Sequence, residues 1–175
     1  VIAKPGFAAI FIVISATLYL YASNLKQMLL IGNFIVALLL AFSVIIIGIF
    51  DLLPAINSEN RIAMAELFSI LLDYALFAFV INFIREIVKD LEDVNGDYNQ
   101  GMNTLPIALG IKRTSKVVLV LSIIPLAMVV FYINTYIFAN DLYVATLYAL
   151  VFIVAPLIYF AIKMADAKKS EDFHH

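Results

Sequence analysis

Four stretches of this chain carry no charged residue over lengths that water-soluble domains rarely sustain: between Lys4 and Lys26, from Gln27 to Phe50, from Val117 to Asn140, and from Leu142 to Ile162. A helix that crosses hydrocarbon needs about 20 apolar residues, because all its backbone polar groups must be paired internally once water is absent. Each run meets that requirement. A fifth, from about Arg61 to Arg85, encloses Glu66 and Asp73 and still reads as a span. With 65% hydrophobic and 14% charged residues, and a mean hydropathy of +1.04, the chain belongs in lipid. The expected fold is all-α: a polytopic membrane helix bundle with five transmembrane helices.

The formal charge of −2 and the lack of a basic run argue against nucleic acid as a partner. There is no cysteine, hence neither a disulfide framework nor a thiolate metal site. The opening residues lack the basic and small-residue features of a signal peptide, so the start reads as a crop from a longer chain. His174 and His175 have no acidic or histidine partners in a preceding helix and receive no role.

Asp51 to Asn60 and Asn134 to Asp141 read as short turns, rich in Asn, Asp, Ser and Pro. The segment from about Glu86 to Lys116 is longer, polar, and contains Gly96, Gly101, Pro106 and Gly110. A chain entering from outside keeps Lys26, Arg85, Lys89, Lys112, Arg113, Lys116, Lys163, Lys168 and Lys169 inside, and only Lys4 and Arg61 outside. The excess of positive charge on one side makes that side cytoplasmic. The acidic stretch Asp90-Leu91-Glu92-Asp93-Val94-Asn95-Gly96-Asp97 then lies at the cytoplasmic membrane surface.

If the third span continues as helix past Arg85, at about 100° per residue, Asn82, Glu86, Asp93 and Asp97 fall roughly 80°, 40°, 60° and 20° to one side of Asp90. They form a stripe, from which Glu92 points away; a helix ending at Gly96 would instead put Asp97 on a turn. Clustered carboxylates repel one another unless a cation sits among them. Oxygen ligands without His or Cys favour Mg²⁺ or Ca²⁺ over zinc, and Mg²⁺ is commonly shared between carboxylates and substrate phosphates. On the residues alone, a solvated charge run paired loosely with Arg85 and Lys89 stays open as the alternative.

The full stretch Arg85-Glu86-Ile87-Val88-Lys89-Asp90-Leu91-Glu92-Asp93-Val94-Asn95-Gly96-Asp97, followed by Gly101-Met102-Asn103-Thr104-Leu105-Pro106, closely resembles the second aspartate-rich motif of the UbiA family of intramembrane prenyltransferases. Tyr21-Ala22-Ser23-Asn24-Leu25-Lys26, with Gly32-Asn33 beyond it, is similar to the family's Tyr and Leu-Lys turn. The resemblance covers essentially the whole chain and implies a partial prenyltransferase domain over 1–175. Its spans would lie at about 5–25, 27–50, 61–88, 115–138 and 142–163, with a cytoplasmic motif loop at about 89–114. They would be the fourth to eighth of nine helices around a cavity open to lipid. The family's other aspartate-rich motif has no match here, which implies that it lies upstream of Val1 and that these 175 residues alone are inactive. The motif spelling is most similar to the branch that makes digeranylgeranylglyceryl phosphate or related lipids, and chlorophyll and tocopherol prenyltransferases share much of it.

By that resemblance Asp90, Asp93 and Asp97 are the catalytic and metal-binding residues and hold Mg²⁺ against a prenyl diphosphate. Lys26, Lys89 and Tyr21 assist at the diphosphate. Loss of diphosphate leaves an allylic cation for a lipid alcohol or an aromatic ring to capture. Arg85 and Glu86 either join this site or pair with each other at the helix end, the pairing being the preferred reading, and Gly101, Thr104, Leu105 and Pro106 are expected to shape the following loop. A polytopic transporter is the alternative from another class. Transporter sites lie near the bilayer midplane, whereas this cluster lies at a helix end.

Overall fold

Among the described residues, helix fills most of each charge-free run in the computed structural model, which describes residues 5–23, 25, 28–167 and 173. Helix α1 is Pro5–Ser23. Three long helices, α2 (Ile31–Ala55), α3 (Arg61–Glu92) and α6 (Ile111–Asn140), are joined by α7 (Tyr143–Asp166) as the four that are long and apolar enough to cross a membrane. In α1 the described apolar stretch, Ala8–Ser23, is shorter than these. Two short helices, α4 (Val94–Asn99) and α5 (Leu105–Leu109), link α3 to α6. No strand occurs among the described residues.

The chain runs straighter than its punctuation suggests. Asp51 and Pro54, expected in a turn, lie within α2, so the connector shrinks to residues 56–60. A proline inside a helix lacks an N–H and crowds the carbonyl four residues earlier. A wider π turn at Gly48–Leu52 precedes Pro54, and another at Leu150–Val154 precedes Pro156 in α7, loosening the helix where that crowding falls. Asn57 and Asn60 close the connector reciprocally: each backbone N–H donates to the other's side-chain oxygen, at 2.8 and 2.9 Å.

Helices α2 and α3 pack along each other, α6 lies on α3, and α7 on α6. Helix α2 comes close to α3 at Gly48, where an added Cβ would stand 2.6 Å from the Phe68 ring. Farther along, Phe34 meets the edges of Phe79 at 5.3 Å and Phe83 at 6.4 Å. The main buried cluster joins Ile84, Ile87 and Leu91 of α3 to Leu105, Val118 and Met164. These lie at one end of the bundle, beneath the acidic stretch, so the best-packed region is also what holds those carboxylates in place.

The expected loop at 89–114 is for the most part helical. Helix α3 continues unbroken through Glu92, bends at Asp93, and resumes as α4 with Gly96 in its interior. Gly101 ends α4: the N–H of Met102 donates to the Asp97 carbonyl at 3.0 Å, and that of Gly101 to the Tyr98 carbonyl at 3.1 Å. This Schellman arrangement needs a left-handed residue, and Gly101 has φ +69°. It turns the chain back over the end of α3, and Pro106 then starts α5 in the first turn, where a missing N–H costs nothing.

Candidate functional site

Antiparallel packing brings the end of α1, the start of α2 and the end of α3 to the same side of the bundle. Between them lies a small cavity of about 70 Å³ bordered by Tyr21, Gly32 and Asn33, by Glu86, Lys89 and Asp90 on α3, and by Asp93, Asp97, Met102 and Thr104. The periodicity of α3 explains why Glu86 and Asp90 share it, being one turn apart on one face. The bend at Asp93 keeps the next acids from drifting away. Four carboxylates therefore border one space with a single lysine among its described lining residues.

Five of the residues singled out in the sequence, Tyr21, Lys89, Asp90, Asp93 and Asp97, border this cavity. Lys26 lies outside the described residues. Glu86, expected either to join the site or to pair with Arg85, does both: its carboxylate lies 3.7 Å from the guanidinium and also borders the cavity, with its side chain 12% exposed. Arg85 itself turns to the other face of α3, where it joins Ile81, Val88, Leu157 and Phe160 around an apolar crevice of about 240 Å³. Asn82 stays out of the acidic cavity, its amide donating back to the Ala78 carbonyl at 2.8 Å.

Two cavity residues carry no chemistry that the sequence alone suggests. Asn33 donates from Nδ2 to Asp90 Oδ2 at 2.8 Å, tying α2 to α3 and fixing one carboxylate oxygen. Its place beside Gly32, just inside α2, is visible in the motif; its partner is not. Thr104 caps α5 with its carbonyl, which accepts from the N–H groups of Ile107 at 3.1 Å and Ala108 at 3.0 Å. Its hydroxyl makes no cap bond, is buried, and has no hydrogen-bond partner among the described residues.

The donor set is all oxygen, as suits a hard divalent cation. Among the described residues no three His, Cys, Asp or Glu side chains converge on a point that would hold a metal by themselves. Carboxylates of this kind would suit a divalent cation shared with ligand oxygens and water.

Membrane-length helices that gather carboxylates and a lysine around one cavity define an integral membrane protein with an acidic pocket at one bundle end. The chain belongs to the UbiA prenyltransferase family, which it matches over residues 1–174. It is 41% identical over 106 residues to the digeranylgeranylglyceryl phosphate synthase of Thermococcus sibiricus, covering 61% of this chain and 33% of that protein. It is 38% identical over 109 residues to the synthase of the same name from Sulfolobus acidocaldarius, covering 62% and 34%. With that of Methanosphaera stadtmanae it shares 28% identity over 159 residues, covering 89% and 50%. Its matches thus span a third to a half of these curated relatives' length. No solved structure gives a significant match.

Proposed function

We propose that this chain supplies the diphosphate-binding side of a prenyltransferase that moves a prenyl group, geranylgeranyl in this reading, from its diphosphate to the alcohol of a geranylgeranylglyceryl phosphate-type lipid. The observation that carries the proposal is the single cavity bordered by Glu86, Asp90, Asp93, Asp97 and Lys89 at the end of a membrane-length helix. The activity for which the relatives are named agrees with it. The site would face the cytoplasmic side of the cell membrane, where the lysine and arginine excess lies.

Asp90, Asp93 and Asp97 are the residues that would hold Mg²⁺, which neutralises charge on the departing diphosphate when bound. Lys89, and Lys26 by resemblance, would contact phosphate oxygens as point charges, with Tyr21 alongside. The C1–O bond of the donor breaks and its electron pair leaves on the diphosphate. The acceptor hydroxyl oxygen then bonds to C1, and its proton passes to the diphosphate. The apolar helix faces beneath hold the isoprenoid chain and keep water from the allylic carbon.

The test uses the full-length protein in proteoliposomes with geranylgeranyl diphosphate and Mg²⁺. Asp93→Asn and Asp97→Asn should each abolish diphosphate release while membrane insertion persists; turnover retained in both would defeat the site assignment. Offering a glycerophosphate lipid and an aromatic acceptor side by side tests the acceptor, and an aromatic product would overturn the ether-lipid reading.

A further inference from the structure

Thr104, which borders the cavity, has a hydroxyl whose bonding is incomplete. Thr104 is 7% exposed, and its Oγ1 is buried without a hydrogen-bond partner among the described residues. A buried hydroxyl left unpaired carries a free-energy penalty. Threonine at the start of a helix ordinarily relieves it by accepting from a backbone N–H two or three residues on. Thr104 does not, although it occupies that position in α5.

The surroundings limit what would complete it. The carboxylates bordering the cavity are acceptors only, and Lys89 is the lone cationic donor among the described lining residues. A phosphate group entering there meets many acceptors and few donors. A hydroxyl can donate one hydrogen bond without adding charge. Gly101 reverses the chain after α4, and Thr104 then borders the same cavity as Asn33 and Lys89.

We infer that Thr104 is a substrate-binding residue whose hydroxyl donates to a phosphate oxygen of the prenyl diphosphate. The inference rests on the proposed prenyl-transfer reading and assigns Thr104 a role within that site. Its binding contribution outweighs its cost to the unliganded fold. Removing the hydroxyl while keeping the shape, as in Thr104→Val, should weaken the ligand without weakening the protein.

The experiment compares full-length parent, Thr104→Val and Thr104→Ser in detergent with inorganic pyrophosphate and Mg²⁺, then with geranylgeranyl diphosphate under turnover. Thr104→Val should raise the pyrophosphate Kd and the KM for the prenyl diphosphate about tenfold. Its metal-loaded, ligand-free melting temperature should equal or exceed the parent's, and its Mg²⁺ half-saturation at saturating prenyl diphosphate should not change. Thr104→Ser should restore parent-like binding. Unchanged pyrophosphate affinity in Thr104→Val, beside a parent that binds normally, overturns the Thr104 assignment and leaves the prenyl-transfer reading standing. A shift confined to Mg²⁺ half-saturation also overturns it, by making the hydroxyl a metal ligand. A lowered melting temperature with unchanged affinity would show a purely structural role. A parent that fails to bind pyrophosphate with Mg²⁺ brings down both readings.

Discussion

Asn33 and Asp90 stand 57 residues apart in the chain and 2.8 Å apart in the fold, amide to carboxylate. The bond takes up one oxygen of Asp90, and in the proposed site the other would serve as a ligand. It also pins the first turn of α2 to the last turns of α3. Positioning of this kind, one step removed from a metal ligand, commonly governs metal affinity by 10–100-fold. In the full-length protein, Asn33→Ala should therefore raise the Mg²⁺ concentration needed for half-maximal activity by about tenfold, with little loss at saturating Mg²⁺. A Mg²⁺ titration of turnover checks this.

Asp73 provides the contrast along the same helix. It lies 17 positions before Asp90, a displacement of about 25 Å at the helical rise, and is not among the cavity residues. Asp73→Asn should leave activity within about twofold of the parent, where a change of that size is less than 0.5 kcal/mol. Asp90→Asn should lose it. Measured in parallel, the pair separates a local site from a general effect of charge on α3.

Gly48 is a packing requirement. A Cβ there would be 2.6 Å from Phe68 and 3.2 Å from Leu71, so Gly48→Val forces α2 and α3 apart or displaces the ring. Overpacking of this sort costs about 1–3 kcal/mol. The expected result is a clearly lower melting temperature in detergent, read by loss of the monodisperse protein on heating.

Gly101 is a backbone requirement, since nothing lies within 4 Å of where its Cβ would be. With φ at +69°, Gly101→Ala should cost about 1 kcal/mol through backbone strain alone. Hydrogen exchange should quicken at Gly101 and Met102, whose N–H groups cap α4, and the KM for the prenyl diphosphate should rise as Thr104 loosens. Unchanged exchange at both amides would count against the capping role.

The spans are legible in the sequence because a run of some 20 residues without a charge is rarely tolerated anywhere but in lipid. Glu86 and Asp90 are legible as neighbours because helical periodicity places them on one face. The same arithmetic includes Asn82, whose amide is instead spent on the Ala78 carbonyl. Angular position says which way a side chain leaves the helix and nothing about what it meets. The region from 89 to 114 is harder to read, because glycines and a proline at short intervals suggest a loop while here they start and end short helices. Thr104 reads only as a loop-shaping residue for a related reason: its proposed role depends on a bond that it does not make, which no spacing can reveal.

The length of α3 has a consequence for the membrane as a whole. At 1.5 Å per residue its 32 residues extend about 48 Å, against a hydrocarbon thickness of about 30 Å. In a bilayer the surplus would carry Asp90 into the headgroup layer, where hydrophilic and greasy parts of one molecule can be handled together. It also makes the height of the site a property of the surrounding lipid. Longer acyl chains would draw the acids toward oil, and shorter chains or a tilted helix would move them toward water. Bilayer thickness thereby becomes a tuning variable for this site, set by the same class of molecule that the site is proposed to build.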